Sequence, residues 1–362
     1  MSTQFYPLQV KDLYKDTENA IVLTFDVPDE LADIFSFIQG QYLTLNHQID
    51  GEEVRRSYSI CAGLDDGHLR VAIKHVEGGV FSTWANEKLQ IGDTLDVMPP
   101  RGDFYAEIDP AQSKNYLCIC AGSGITPVLS IIKTVFAREP NSTVTLLYGN
   151  QRTSTMMFRH DLAFLKNAYL ERFHWINIFS REPQEVDLLS GHLDNRKGGA
   201  LNRRLINIRG YDEFFLCGPE AMISEVSRGL RGEEIAEENI HFELFAASAE
   251  NAKRAIARHH ARAQEYKGQV SKVSLLSDGR EYAFDLSADG ENLLDAGLRN
   301  GVDLPFSCKG GVCATCKARL IEGEVDMDLN QALRPEEIEK GYILTCQSHP
   351  VSKKIVVDFD QF

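Results

Sequence analysis

No apolar run among these 362 residues approaches the roughly 20 that a membrane-crossing helix needs, and no apolar signal segment stands at the N-terminus, so the expectation is a soluble, cytoplasmic chain. Positive charge is also scarce: 38 Lys and Arg face 53 Asp and Glu, a formal charge of -15. That balance argues against nucleic acid and anionic membrane as partners, since both reward basic surfaces, and points to a protein partner of basic or mixed charge. Internal repeats and low-complexity tracts are missing too, which removes repeat architectures.

Cysteine, by contrast, occurs eight times, and four of these are patterned. Cys308, Cys313, Cys316 and Cys346 follow C-x4-C-x2-C with a fourth thiol after 29 intervening residues, the plant-type arrangement for a 2Fe-2S cluster. Gly310 and Gly311 let backbone amides approach the sulfurs, and the small residues around them leave room for an inorganic core. A structural zinc site would usually show two C-x2-C pairs, and only one is present. A disulfide framework belongs to short secreted chains, which this is not.

The length suits two or three domains. Residues 1–108 read as short alternating strands, at 20–25, 41–45 and 69–74 among others, separated by Gly, Asp and Pro turns, the pattern of an antiparallel β-barrel. Residues 109–245 change to short apolar runs, at 116–120, 144–148, 175–179 and 214–217, each followed by a loop and helical periodicity: a parallel α/β domain. Residues 246–268, rich in Ala, Arg, His and Gln, read as a linker with room for partial helix, and His259 and His260 within it read as solvated. Residues 269–362 resume with two strands, a helix near 292–299 and the cysteine loop, the order of a β-grasp module. The fold class is multidomain α/β plus β.

Three further motifs carry chemistry. Gly122-Ser123-Gly124-Ile125-Thr126-Pro127 follows a strand and opens a helix, where glycines admit a pyrophosphate close to the backbone and the helix N-terminus favours it. Its final Pro departs from the ordinary dinucleotide fingerprint. In Arg55-Arg56-Ser57-Tyr58-Ser59, alternation sets Arg56 and Tyr58 on one strand face, a guanidinium for a pyrophosphate beside a ring for stacking. Gly78-Gly79-Val80-Phe81-Ser82 adds a second backbone-accessible turn and a hydroxyl. Taken singly, each has an ordinary structural explanation. Glu238-Asn239-Ile240-His241 is the single E-x-x-H, and one copy beside a strand reads as structural.

With Arg56-x-Tyr58-Ser59, Gly79-x-x-Ser82, Gly122-x-Gly124-x-x-Pro127 and Cys217-Gly218-Pro219 in this order, the chain resembles the ferredoxin-NADP reductase superfamily. Its trailing ferredoxin segment narrows the likeness to oxygenase reductases with a C-terminal cluster. In particular it resembles the reductase subunits of bacterial phenylacetyl-CoA epoxidases, on Ile60-Cys61, Tyr148-Gly149-Asn150, Met156-Met157-Phe158-Arg159, Tyr211-Asp212-Glu213 and the run from Lys309 to Cys316. The resemblance implies an FAD-binding barrel, an NAD(P)-binding α/β domain and a 2Fe-2S domain. Arg56 would then bind the FAD pyrophosphate, Tyr58 stack on the flavin and Ser59 sit near its N5. Ile73, Lys74, Gly79 and Ser82 would complete the cofactor site, with Gly122, Gly124, Thr126 and Pro127 beside flavin and nicotinamide. Cys217, with Gly218 and Pro219, would face the nicotinamide, although a thiol at a buried strand end reads equally as core. Glu243 and Phe245 resemble the segment that closes over the flavin. Ser180 and Arg181, with Arg152, would clamp a 2′-phosphate and favour NADPH over NADH, while an Arg in a solvated loop is the plainer account.

These roles imply that NADPH reduces FAD and that electrons pass singly to the cluster, then to di-iron oxygenase subunits. Another oxygenase, a desaturase or a hybrid-cluster protein is an alternative partner, and an electron-carrier module without flavin turnover is the alternative of another class.

Overall fold

The computed structural model describes residues 4–245 and 249–361, in two compact units, 5–243 and 244–361 with the N-terminal residue 4. In the first unit, β1 (Tyr6–Thr17), β2 (Ala20–Asp26), β3 (Tyr42–Ile49), β4 (Glu52–Ser59), β5 (Leu69–Lys74) and β6 (Thr94–Arg101) pair antiparallel in the order β4-β3-β6-β1-β2-β5. An antiparallel bridge from Ile60 to Val71 joins the two edges, closing the sheet as a barrel. Inward residues such as Leu23, Leu43, Leu45, Ile60, Val71 and Val97 are fully buried, which is why these strands alternate. Helix α1 (Val80–Lys88) lies across this barrel, packing Phe81 into its core.

The same unit continues with β7 (Asn115–Ala121), β8 (Thr143–Asn150), β9 (Phe173–Phe179), β10 (Glu213–Cys217) and β11 (Ile240–Glu243), all parallel in the order β11-β10-β7-β8-β9. Crossovers carry α2 (Ile125–Arg138), α3 (Arg159–Ala168), α4 (Asn195–Arg204) and α5 (Glu220–Gly232). The chain leaves central β7 for β8 and β9 on one side and returns to β10 and β11 on the other. That switch point is where ligands of open α/β sheets sit.

Helix α2 binds the barrel to the sheet. Its Ser130 hydroxyl donates to the Ala62 carbonyl at 2.6 Å, Lys133 pairs with Asp66 at 2.9 Å and with Asp161 at 3.6 Å, and Arg138 grips Asp65 through two bonds of 2.9 and 3.0 Å. From the barrel side, Asp16 accepts the Phe158 amide at 2.8 Å, where Phe158 turns with a φ of 57°.

In the second unit, β12 (Val270–Ser277), β13 (Arg280–Ser287), β14 (Lys317–Glu322), β16 (Tyr342–Leu344) and β18 (Lys354–Asp358) form a mixed sheet in the order β13-β12-β18-β14-β16. Strands β15 (Val325–Met327) and β17 (Ser348–Pro350) pair separately, with short helices α7 (Leu293–Arg299) and α8 (Pro335–Glu339). The segment expected as a linker carries α6 (Ala249–Glu265), a helix of this unit; its residues 246–248 lie outside the described ones. The helix is held for a specific reason. The Arg262 side chain, 1% exposed, donates to Asp326 at 2.9 Å, Asp328 at 2.6 Å and His259 Nδ1 at 2.7 Å. His259 is thus a partner in a half-buried network, not a solvated linker residue.

Removing one member of a buried ionic network leaves the others uncompensated. Arg262→Ala should therefore destabilise the C-terminal unit by about 3–5 kcal/mol, read in the full chain by urea unfolding followed at that unit's visible absorbance. An unchanged midpoint would show that α6 contributes nothing.

Candidate functional site

The barrel end and the switch point converge. Ser59, the last residue of β4, donates its hydroxyl to Glu243 Oε2 at 3.0 Å, joining residues 184 apart in sequence. Glu243 ends β11 directly opposite Cys217 at the end of β10, which in turn lies opposite Cys120 of β7. Gly124 closes the group: a Cβ there would stand 2.2 Å from the Cys217 carbonyl oxygen, so only glycine lets the loop pass so near the strand end. Burial pushes the Glu243 carboxyl up to about 8 while the Ser59 hydrogen bond draws it down, so it holds a proton at neutral pH. The Cys217 thiol is fully buried beside Cys120, which raises its pKa well above the ordinary value and makes it an unreactive core sulfur as it stands.

Arg56 and Tyr58 share one face of β4, opposite Leu45 and Leu43; Arg56 is exposed and Tyr58 half-buried. The Tyr58 ring lies 5.7 Å from that of Phe81, which brings this strand against the Gly79 turn. Within that turn Ser82 is buried; its hydroxyl accepts the Val76 amide at 3.1 Å and donates to the Gly79 carbonyl at 3.2 Å. It therefore braces the turn from inside. Ile73 is fully buried in the barrel core, so its side chain is packing. Lys74 does reach the loop, its Nζ 3.4 Å from where a Cβ on Gly122 would stand, and burial lowers its pKa. Thr126 donates to the Ser123 carbonyl at 2.9 Å and Pro127 falls in the first turn of α2, where its missing N–H costs nothing. Gly218 follows β10 and Pro219 precedes α5.

At the ends of β8 and β9, the Ser180 and Arg181 amides donate to the Asn150 and Gln151 carbonyls, both at 2.9 Å, so Arg152 and Arg181 leave neighbouring, exposed turns. Sequence reasoning placed Glu182 beside them in the run Ser180-Arg181-Glu182 but gave it no role. Its carboxylate accepts the Thr153 amide at 2.8 Å and the Thr153 hydroxyl at 2.7 Å. His241, in the E-x-x-H run, bonds Glu213 at 2.9 Å. Phe245, exposed, belongs to the other unit.

In that unit the four thiols form two pairs. A hydrogen bond from the Cys313 thiol, with backbone amides such as Gly310 N at 3.3 Å, pulls Cys308 down to about 6. Cys316 does the same for Cys346, lowering it, with help from the Gly311 amide and Gln347. Both shifts favour the thiolate, the form that ligates metal. A single tetrahedral zinc would gather all four sulfurs within about 4 Å of one another. Among the described residues the one trio of ligand atoms lying within 4.8 Å is instead His259, Asp328 and His349, and there Arg262 already supplies the cation. Two thiol pairs suit a two-iron core. Gly311, at φ 73° and with its would-be Cβ 2.9 Å from the Leu329 carbonyl oxygen, keeps the loop turned round that space. None of the eight cysteines is in a disulfide, so no covalent staple holds the fold.

Residues 7–105 match the oxidoreductase FAD-binding domain family, 118–228 the oxidoreductase NAD-binding domain and 276–351 the 2Fe-2S iron-sulfur cluster binding domain. The chain is 43% identical over 358 residues to a 1,2-phenylacetyl-CoA epoxidase subunit of Escherichia coli (strain K12), covering 99% of this chain and 98% of that one. It is 29% identical over 357 residues to the ferredoxin reductase component of 3-ketosteroid-9-alpha-monooxygenase of Rhodococcus rhodochrous, covering 97% and 96%. In fold it is similar to phthalate dioxygenase reductase, described as a modular structure for electron transfer from pyridine nucleotides to [2Fe-2S], with a TM-score of 0.61, 22% identity and 98% of each chain covered. Among the described residues no helix is long and apolar enough to cross a membrane.

The Glu243 proton has a measurable consequence. The folded unit keeps it up to about pH 8, whereas the unfolded chain releases it near the ordinary carboxylate value. Between those values the unfolded state binds fewer protons, so stability falls as pH rises through the window. Glu243→Gln should lack that loss: its Tm relative to the unsubstituted chain should climb between about pH 5 and pH 8 and level above. A difference independent of pH would show that Glu243 ionises normally.

Proposed function

We propose that this chain, which belongs to the family of FAD-, NAD- and 2Fe-2S-domain reductases that serve oxygenases, draws its electrons from NADPH and delivers them to the di-iron subunits of a phenylacetyl-CoA epoxidase. The observation that carries the reading is the convergence of Ser59, Glu243, Cys217 and Gly124 at the switch point of the parallel sheet. When bound, FAD takes a hydride's two electrons and releases them one at a time, the portion a 2Fe-2S cluster accepts.

The residues have separate tasks. Arg56 holds the flavin pyrophosphate as the Gly79 turn offers backbone, and Tyr58 covers the ring. Glu243 keeps a proton at neutral pH and Ser59 fixes the carboxyl's orientation, so a protonated donor stands at the hydride site. The Cys217-Gly218 strand end and Gly124 shape a floor for nicotinamide. Arg152, Ser180 and Arg181 take the 2′-phosphate. Cys308, Cys313, Cys316 and Cys346 hold the cluster. The epoxidase assignment rests on 43% identity across almost all of both chains, against 29% for the ketosteroid monooxygenase component. A cytoplasmic setting suits eight cysteines with no disulfide among them.

Cys313→Ser should abolish electron delivery to the purified epoxidase subunits while preserving most NADPH-to-ferricyanide activity. Loss of both together would overturn the order of carriers. Arg181→Ala should raise the KM for NADPH about tenfold or more and leave that for NADH within about twofold, as expected when one charged contact to the 2′-phosphate is lost; equal effects would remove that assignment.

A further inference from the structure

The loops after β8 and β9 carry three charged side chains whose roles conflict. In open α/β sheets a carboxylate at this level accepts hydrogen bonds from the ribose hydroxyls and selects the coenzyme without a 2′-phosphate, whereas an arginine accommodates the phosphate. Here Arg152 and Arg181 stand beside Glu182, so composition alone does not decide between the coenzymes. What decides is where the carboxylate is committed. Both of its oxygens are occupied by one residue, Oε2 by the Thr153 amide at 2.8 Å and Oε1 by the Thr153 hydroxyl at 2.7 Å. Those bonds, with Arg152 and Arg159 nearby, hold the Glu182 carboxyl below its ordinary range. By contrast, Arg152 and Arg181 are both exposed, open to an incoming anion.

We propose that Thr153 is a positioning residue for coenzyme selectivity, tying the Glu182 carboxylate to the β8 loop so that it neither accepts a ribose hydroxyl nor faces the 2′-phosphate of NADPH. This rests on the 2′-phosphate site proposed above and adds the device that keeps a competing anion out of it. An untied carboxylate on this loop would turn toward the ribose, favouring a 2′-hydroxyl and repelling a phosphate dianion by simple Coulomb interaction.

The test uses the FAD- and cluster-loaded chain and calorimetric titration with two fragments, 2′,5′-ADP and 5′-AMP, so that binding is read apart from turnover. Thr153→Val, which keeps the backbone and the branched Cβ, should weaken 2′,5′-ADP about threefold to tenfold and leave 5′-AMP unchanged or tighter. Thr153→Ser should hold the original ratio of the two affinities, and Glu182→Gln in the Thr153→Val background should restore it. Equal changes for both fragments, or a double variant that stays at the Thr153→Val ratio, would overturn the proposal. If Arg181→Ala shifts the ratio while Thr153→Val does not, only the tie is refuted. If neither shifts it, the 2′-phosphate site falls as well.

Discussion

A protonated carboxyl held at a seam organises the larger unit. Glu243 stands at the end of β11 in the α/β sheet, yet its hydrogen-bond partner, Ser59, ends a strand of the barrel. A contact of 3.0 Å between residues 184 apart exists only if two separately built sheets are held in fixed register. Helix α2 does that holding through Ser130, Lys133 and Arg138, with Asp16 and Phe158 closing the other side. The helix that begins at the glycine loop is therefore also the clamp that aligns the loop with the barrel.

The two units solve opposite electrostatic problems with the same means. At the seam, burial pushes a carboxyl up to about 8, which favours its neutral form. In the cysteine loop, neighbouring thiols and backbone amides lower two of four pKa values, which favours anionic sulfur there. The Arg262 network shows a third balance, in which a guanidinium bonds Asp328 and His259, and Asp328 in turn bonds His349.

Much of the architecture was legible in the chain. Alternating strands announced the barrel, apolar runs followed by helical periodicity announced the parallel sheet, and cysteine spacing announced the cluster, because each signal lies within one short window. Side-chain placements that the sequence left open have physical explanations. Ser82 looks available from its neighbours, but its hydroxyl braces the turn; Ile73 shares a strand with Lys74, but alternation sends it into the core. The 246–268 stretch has few large apolar residues and reads as a tether, because what orders α6 is two arginines, Arg258 and Arg262, meeting aspartates more than 60 residues away.

What the order of residues settled by itself is the inventory: three kinds of domain, four thiols at cluster spacing, two glycine turns and the charged residues near them. Local spacing is enough for these, since a loop's ligand set or a strand's face depends on residues a few positions apart. What only tertiary structure decided is which of those groups share a proton or a partner: Ser59 with Glu243, Thr153 with Glu182, Arg262 with Asp326 and Asp328. These pairs arise from strand register and helix packing, which bring distant loops together and which no short-range periodicity encodes.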